Sequence, residues 1–342
     1  MGSVKDLTII EEPVPGKPGK GRFSFSDRYS VFDWGQMPQY LENKGKALCL
    51  TGAYFFEKLQ QQGFKTHYIG SVSDGEVRGL ADLKGPADTM EVKLLRVLKP
   101  GFNEQKYDYS VYKNERSNFL IPLEIIYRNT LPAGSSVFKR LDEGTIKLSD
   151  MGLLQLPSPG QDLAEPIFDV STKLESTDRY VNWAEAQQMA CLSDKELSRI
   201  KDTLMAVNAL ISEEARRIGL KNNDGKIELG FDEDRNLLIL DVVGTPDECR
   251  FTMDDLQVSK EIARIYYRDT DWFKDINEAK KKDSVNWKQY VKTPPPDLPV
   301  RLAELISYIY QAFCNELTQR KWFEVPTLKE TIEEINTIVK LD

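Results

Sequence analysis

The sequence predicts an α+β fold, on three observations. Short β-prone runs crowd the first half of the chain and long helical periodicities crowd the second; strand and helix do not alternate as a wound parallel sheet requires; and there is no internal repeat. At 342 residues the chain has room for two domains, or for one large domain with a lobe attached.

The elements follow in order. Residues 7–11 are β-prone and are broken by PVPGKPGKG. Residues 46–62 predict a helix, with Leu48, Phe55 and Leu59 near helical spacing and Gly63 as the stop. Residues 66–69, 91–98 and 119–128 read as strands, and Pro122, which has no N–H, marks the last as an edge or a bulge. The polar stretch 103–118 reads as an elaborated hairpin connection, and 165–183, polar without periodicity, as a long loop. Ser193 and Glu196 form a capping box ahead of the apolar stripe Ile200, Leu204, Val207 and Ile211, which Gly219 ends. Residues 226–243 read as two strands around the turn DEDRN. The stiff TPPPDLP precedes a helix carrying Leu302, Ile306, Ile309 and Phe313, and Thr327 with Glu330 opens a last one.

Composition removes several classes. With 40% hydrophobic and 29% charged residues the chain reads as soluble and globular, and its net charge of −8 argues against a general nucleic-acid surface. No run approaches the ~18 apolar residues of a membrane span, and the N-terminus has no secretory h-region, so a cytoplasmic protein is expected. His67 is the one histidine, and Cys49, Cys191, Cys249 and Cys314 are scattered. A zinc site or a Ser-His-Asp triad has almost nothing to use.

Four stretches could carry chemistry. FSFSDRYSVFD packs Asp27, Arg28, Ser30 and Asp33 ahead of the first helix, as a solvated turn or as one wall of a site. In PGKPGKG the glycines let backbone approach phosphate while Lys17 and Lys20 neutralise it; it lacks P-loop spacing, and a plain hairpin turn is the alternative. In residues 225–250, a turn centred between Asp234 and Arg235 sets Glu228 opposite Asp241. Two carboxylates on one face repel unless a cation or a proton sits between them, and Mg²⁺ with a nucleotide would supply the cation. Ile227, Leu229, Leu238 and Leu240 then face the core, whereas a register slip of one residue leaves a solvated acidic face. RNTLPAGSSVFKRL offers Arg128, Lys139, Arg140 and a serine-started turn to an anionic small molecule.

Taken together, SDRYSVFD with NKGKAL, PLEIIYRNTLPAGSSVFKRL, EPIFDVSTKLE, KIELGF with LILDVVGTPDECRF, and QVSKEIARIYY ahead of PPPDLP resemble the SAICAR synthetase family in order and spacing. The resemblance implies an antiparallel N-terminal lobe that binds nucleotide (residues 1–121), a larger α+β domain with C-terminal helices that binds substrate and metal (122–342), and an ATP cleft between them. It implies ligation of L-aspartate to carboxyaminoimidazole ribotide (CAIR) through an acyl phosphate, with ATP and Mg²⁺, and leaves a homo-oligomer possible. By position, Glu228 and Asp241 match the metal-associated acids, Glu228 also serving ATP. Arg128, Ser135 and Arg250, with Asp247 beside them, match residues that hold the ribotide. Ser30 and Asp33 match the substrate-facing run, Lys44 sits in an Asn-Lys-Gly-like turn on the ATP side, and Lys173 contacts the reacting carboxylate or aspartate. Asp241 and Lys173 are the implied catalytic pair.

Three departures accompany the match. The family's glycine-lysine-x-arginine turn, two strands and then DRxS are compressed here, so GKPG (Lys17) and GKGR (Lys20) compete for the ATP phosphates. Val242 replaces the second acid of an Asp-Glu pair. Extra chain lies at 103–118 and after 316. A paralogous amide ligase, a small-molecule phosphotransferase and a scaffold are the rival readings.

Overall fold

A computed structural model describes residues 4–103, 106–132, 134–283 and 286–339. The first sheet holds β1 (Lys5–Glu11), β2 (Gly19–Phe25), β3 (Tyr68–Ser73), β4 (Glu76–Arg78) and β5 (Thr89–Leu94), all antiparallel, in the order β1-β2-β5-β3-β4. Helix α1 (Lys44–Gln61) packs on β2, β3 and β5 and also on α7 (Val300–Thr318), so it is buried nearly all round. That is why GKALCLTGAYFF is apolar on every side rather than along one stripe. Its N-terminus is capped from a distance: the Asp27 carboxylate accepts the Asn43 and Gly45 N–H groups at 3.1 and 2.9 Å. Gly45 is required there, because a Cβ would press on the Phe25 carbonyl.

A small hairpin, β6 (Gly101–Asn103) and β7 (Lys106–Asp108), fills the expected connection. The second sheet follows, with β8 (Phe119–Thr130), β9 (Asp162–Thr172), β10 (Tyr180–Val181), β11 (Lys221–Phe231), β12 (Leu237–Leu240), β13 (Cys249–Met253) and β14 (Leu256–Gln257). Their order is β10-β9-β8-β11-β13-β14, and β12 shares with β13 one edge of β11. The chain from 241 to 248 therefore arches between two strands paired to the same neighbour. The remaining helices are α2 (Ser136–Asp142), α3 (Trp183–Met189), α4 (Asp194–Arg217), α5 (Glu261–Arg268), α6 (Asp271–Lys282) and α8 (Leu328–Ile338). The α+β class is thus observed, and both capping boxes form, at Ser193 and at Thr327. The sheets change between Leu94 and Phe119, ahead of the expected boundary at 121/122, and one apolar core runs from Phe25 and Met90 through Phe55 to Ile227.

Three expectations change. Residues 165–172 are strand, not loop: β9 lies between β8 and β10, and its polar Asp169, Ser171 and Thr172 are buried, so no alternation shows in the sequence. Pro122 is on an interior strand, and of the two options it marks the bulge, since the β8–β11 register breaks between Glu228 and Gly230. The β11–β12 register is one residue from the expected one, with Glu228 opposite Leu240. Leu238 and Leu240 consequently share the Glu228 face, in a small cluster with Leu95 and Leu120, while Ile227 and Leu229 join the main core.

The arch between β12 and β13 needs Gly244, at φ +73°, where an added Cβ would collide with the Phe55 ring. Gly244→Ala should therefore lower stability by roughly 2–3 kcal/mol through strain and overpacking, measured as a denaturant midpoint lower than wild type at unchanged m-value.

Candidate active site

Strand alternation builds the site. On β8 and β11 the residues Ile125, Tyr127, Ile227 and Leu229 face the core, and the intervening Glu124, Arg128, Asp224, Lys226 and Glu228 share the opposite face, where Lys226 and Glu228 line a cleft. Glu228 stands opposite Glu124, and Asp224 opposite both Arg128 and Arg250. The cleft has a volume of about 390 Å³, and its walls include Lys5, Ser30, Asp33, Lys173, Lys226, Glu228, Asp241, Asp247 and Lys260.

Asp241 joins Glu228 although the register slips. It lies one residue beyond β12 with φ +62°, and this left-handed turn brings its side chain back to the cleft. His67 secures the turn, its Nε2 donating to the Asp241 carbonyl at 3.1 Å, and burial holds its imidazole neutral, with a pKa lowered to about 4. Each acid is met by a lysine, Glu228 by Lys173 at 2.6 Å and Asp241 by Lys5. Burial and then the Asp241 charge push the Glu228 carboxyl up to about 7, against the pull of Lys173 and Lys5. Burial opposes ionisation of Asp241 too, but Lys5 and then Lys173 outweigh it and hold that carboxyl below the usual range.

Glu124 takes Lys226 at 2.9 Å and Lys173 at 3.4 Å, and Lys226 also reaches Glu248 at 3.5 Å. Further along the sheet, Arg250 makes a two-point pair with Asp224, and Arg128 bridges Asp224 (3.4 Å) and Asp169 (3.2 Å), leaving its buried Nε without a partner among the described residues. Ser135 caps α2 by accepting the Val137 N–H, and Ser136 reaches Arg128 at 3.3 Å.

The expected residues divide accordingly. Ser30, Asp33, Lys173, Glu228, Asp241 and Asp247 line one cleft. Arg128 and Arg250 form the adjoining basic group, already tied to carboxylates, and Ser135 is tied to backbone as the cap of α2. The SDRYSVFD run splits its work: Asp27 caps α1, Arg28 pairs with Asp6, and Ser30 and Asp33 face the cleft. Lys44, expected on the ATP side, points inward. It is fully buried, with its ammonium 2.7 Å from Asp247 Oδ2 and over the Tyr310 ring. Asp247 is held down at about 2: burial opposes this, but Lys44, Lys260 and the Tyr310 hydroxyl outweigh it. Lys17 and Lys20 do not reach the cleft, because GKPG is the β1–β2 turn and GKGR is β2 itself; they pair with Glu11 and Glu91. Val242 packs toward Gly52 of α1, so that position points into the core.

Sequence reasoning missed Lys5, Lys226 and Lys260. Two strands, β1 and β2, precede SDRYS, and Lys5 opens the first of them, a position that no motif in the sequence singled out. Lys226 is two residues from Glu228 on a strand and so shares its face. Lys260, whose ammonium donates to the Asp247 carbonyl at 2.6 Å, comes from a segment distant in sequence, and no local pattern marked it.

Comparison with known proteins gives one answer. The family model for SAICAR synthetase matches residues 14–284. The chain is 48% identical over 340 residues to a putative phosphoribosylaminoimidazole-succinocarboxamide synthase of Archaeoglobus fulgidus, covering 99% of this chain and 100% of that one. It is 31% identical to the synthase of Thermoplasma acidophilum, covering 88% and 93%. In fold it resembles a SAICAR synthase from Saccharomyces cerevisiae complexed with SAICAR (TM-score 0.64, 21% identity, 95% of each chain). It also resembles a SAICAR synthetase in complex with ADP (TM-score 0.61, 20% identity, 95% and 98%).

The raised Glu228 carboxyl makes a stability prediction for the ligand-free protein. A carboxyl whose pKa rises on folding costs stability as pH climbs from its ordinary value, near 4.5, through about 7. In chelator, Glu228→Gln should melt a few degrees above wild type at pH 8.5, and the gap should close by pH 4.5; scanning calorimetry across that range reads it.

Proposed function

This chain belongs to the SAICAR synthetase family, and on that premise we propose how its cleft divides the reaction among named side chains. The activity is the ATP-dependent ligation of L-aspartate to the carboxylate of CAIR in purine biosynthesis, releasing ADP and phosphate. One observation carries the assignment of residues: Glu228 and Asp241, each faced by a lysine, meet in the cleft that Ser30, Asp33 and Asp247 also line.

The chemistry is phosphoryl transfer followed by acyl transfer. A carboxylate oxygen of the ribotide attacks the γ-phosphorus of ATP and the bond to ADP breaks. The aspartate nitrogen then attacks the acyl carbon and phosphate leaves with that oxygen. Such steps need positioning and charge neutralisation more than covalent catalysis, so a site without an accessible histidine suffices. Lys173 stands where it can hold the reacting carboxylate or the amino acid, and Lys5 where it can meet phosphate oxygens. Arg128 and Arg250 present guanidinium groups to the anionic end of the ribotide, with Ser135 holding the adjacent turn. Lys44 acts through Asp247, as a positioning residue.

The donor set fits Mg²⁺. Glu228 on β11 and Asp241 just beyond β12, whose charge raises the Glu228 pKa, are the one or two acids this ion takes beside phosphate oxygens and water. When bound there it would neutralise charge on the ATP phosphates. The reading places the enzyme in the cytoplasm, where its four free thiols stay reduced.

Asp241→Asn should lower turnover about 100-fold while the fold stays intact by circular dichroism; near-normal kcat at low Mg²⁺ would remove the pair from the mechanism. Oxygen-18 placed in the CAIR carboxylate should appear in the released phosphate, read by mass spectrometry. Amide formed without label in phosphate rejects the acyl phosphate, and amide formed with glycine or glutamate but not L-aspartate rejects the amine.

A further inference from the structure

The hairpin insertion and the loop that carries Lys173 make a contact the reaction scheme leaves unused. Residues 173–179 connect β9 to β10 in a closed loop. Its base is tied where the Thr172 N–H donates to the Arg179 carbonyl (2.9 Å) and the Arg179 N–H to Thr172 Oγ1 (3.0 Å). Lys173 leaves this base with its N–H on the Pro122 carbonyl at 3.1 Å and its ammonium on Glu228 and Glu124.

The loop's tip is held from outside the cleft. Tyr107 of β7 accepts the Ser176 N–H on its hydroxyl at 2.8 Å, and the Tyr109 hydroxyl donates to Glu175 Oε1 at 2.9 Å. Glu175 is buried to a side-chain exposure of 6% and also takes Arg179 at 3.0 Å, which in turn reaches Glu185 of α3 at 2.8 Å. Behind the tyrosines runs an aromatic series: Phe102 on Tyr107 (4.7 Å), Tyr109 on Tyr112 (6.2 Å), Tyr112 on Phe119 (5.7 Å) and Phe119 on Phe231 (5.4 Å). Phe231 ends the strand that carries Glu228, so the Tyr109 side of the clamp is joined through these rings to the strand of the carboxylate it serves.

We propose that Tyr107 and Tyr109 are positioning residues, which fix the tip of the 173–179 loop and thereby hold Lys173 over the Glu124–Glu228 side of the cleft. A seven-residue loop anchored only at its base would let the long Lys173 side chain leave that geometry, and small displacements of a positioning group are expensive in rate. The inference rests on the proposed role of Lys173 in the ligation.

Two experiments test it separately from that role. Amide hydrogen exchange on the ligand-free full chain needs no activity: Tyr107→Phe removes the acceptor of the Ser176 N–H. Exchange across 173–179 should rise about tenfold while α4 stays protected; unchanged exchange overturns the clamp. In the assay with CAIR, L-aspartate and Mg·ATP, Tyr109→Phe should lower kcat/KM for L-aspartate about fivefold with the ATP KM within twofold. Adding Glu175→Ala to Tyr109→Phe should cost no more than Glu175→Ala alone, since both break one contact. Equal weakening of both substrates, or a fall in melting temperature that tracks the rate, overturns the positioning role. A wild-type chain inactive on L-aspartate would reject the reaction while the exchange result still decides the clamp.

Discussion

The structure depends on charge neutralisation along one face of the β8–β11 strand pair. Alternation puts Glu124, Arg128, Asp224, Lys226 and Glu228 on that face, and all but Lys226 are buried. A buried charge without a partner costs several kcal/mol, so each must be answered by a neighbour. The answers come from Lys173 in the loop after β9, Arg250 of β13 and Asp169 of β9, and the arch beside this face is answered in turn, Asp241 by Lys5 of the first strand and Asp247 by Lys44 of α1. The cleft is where these distant pieces of chain are required to meet.

The same requirement couples the two sheets. Asp241 is held through its backbone by His67 beside β3, through its side chain by Lys5 of β1, and through the packing of Val242 on α1. Gly244 lets the arch pass over Phe55, and Lys44, at the start of that same helix, fixes Asp247. The burial of α1 on all sides is thus tied to the placement of Asp241 and Asp247 in the arch.

Local rules carried the sequence reading as far as they reach. Capping boxes at Ser193 and Thr327, the α4 stripe and the hairpin at 101–108 are short-range features and were legible. Strand β9 was not, because its polar residues are satisfied by partners far away in sequence, Asp169 by Arg128 and Arg140. The Glu228–Asp241 meeting was expected for the wrong geometric reason. The pair is diagonal rather than directly opposite, and the left-handed turn at Asp241 restores what the register slip would have lost. The family resemblance put Lys44 on the ATP side; only the tertiary position of Asp247 makes it internal.

In the proposed reading, the ligand-free cleft is already neutral where the nucleotide binds. Glu228 and Asp241 would hold the cation that accompanies ATP, and Lys5 and Lys173, beside them, would then be free to meet phosphate and acyl oxygens. No lysine then has to be brought from solvent and no acid is left bare, which keeps the desolvation cost of binding small. Such an exchange works only if the lysines stay beside the carboxylates during the swap. Lys5 is held by the strand it begins and by the Phe23 ring 4.9 Å away, whereas Lys173 sits on a loop and depends on what pins that loop. The chain that looked like an insertion thus lies on the side of the site where rigidity is least assured by the sheet itself.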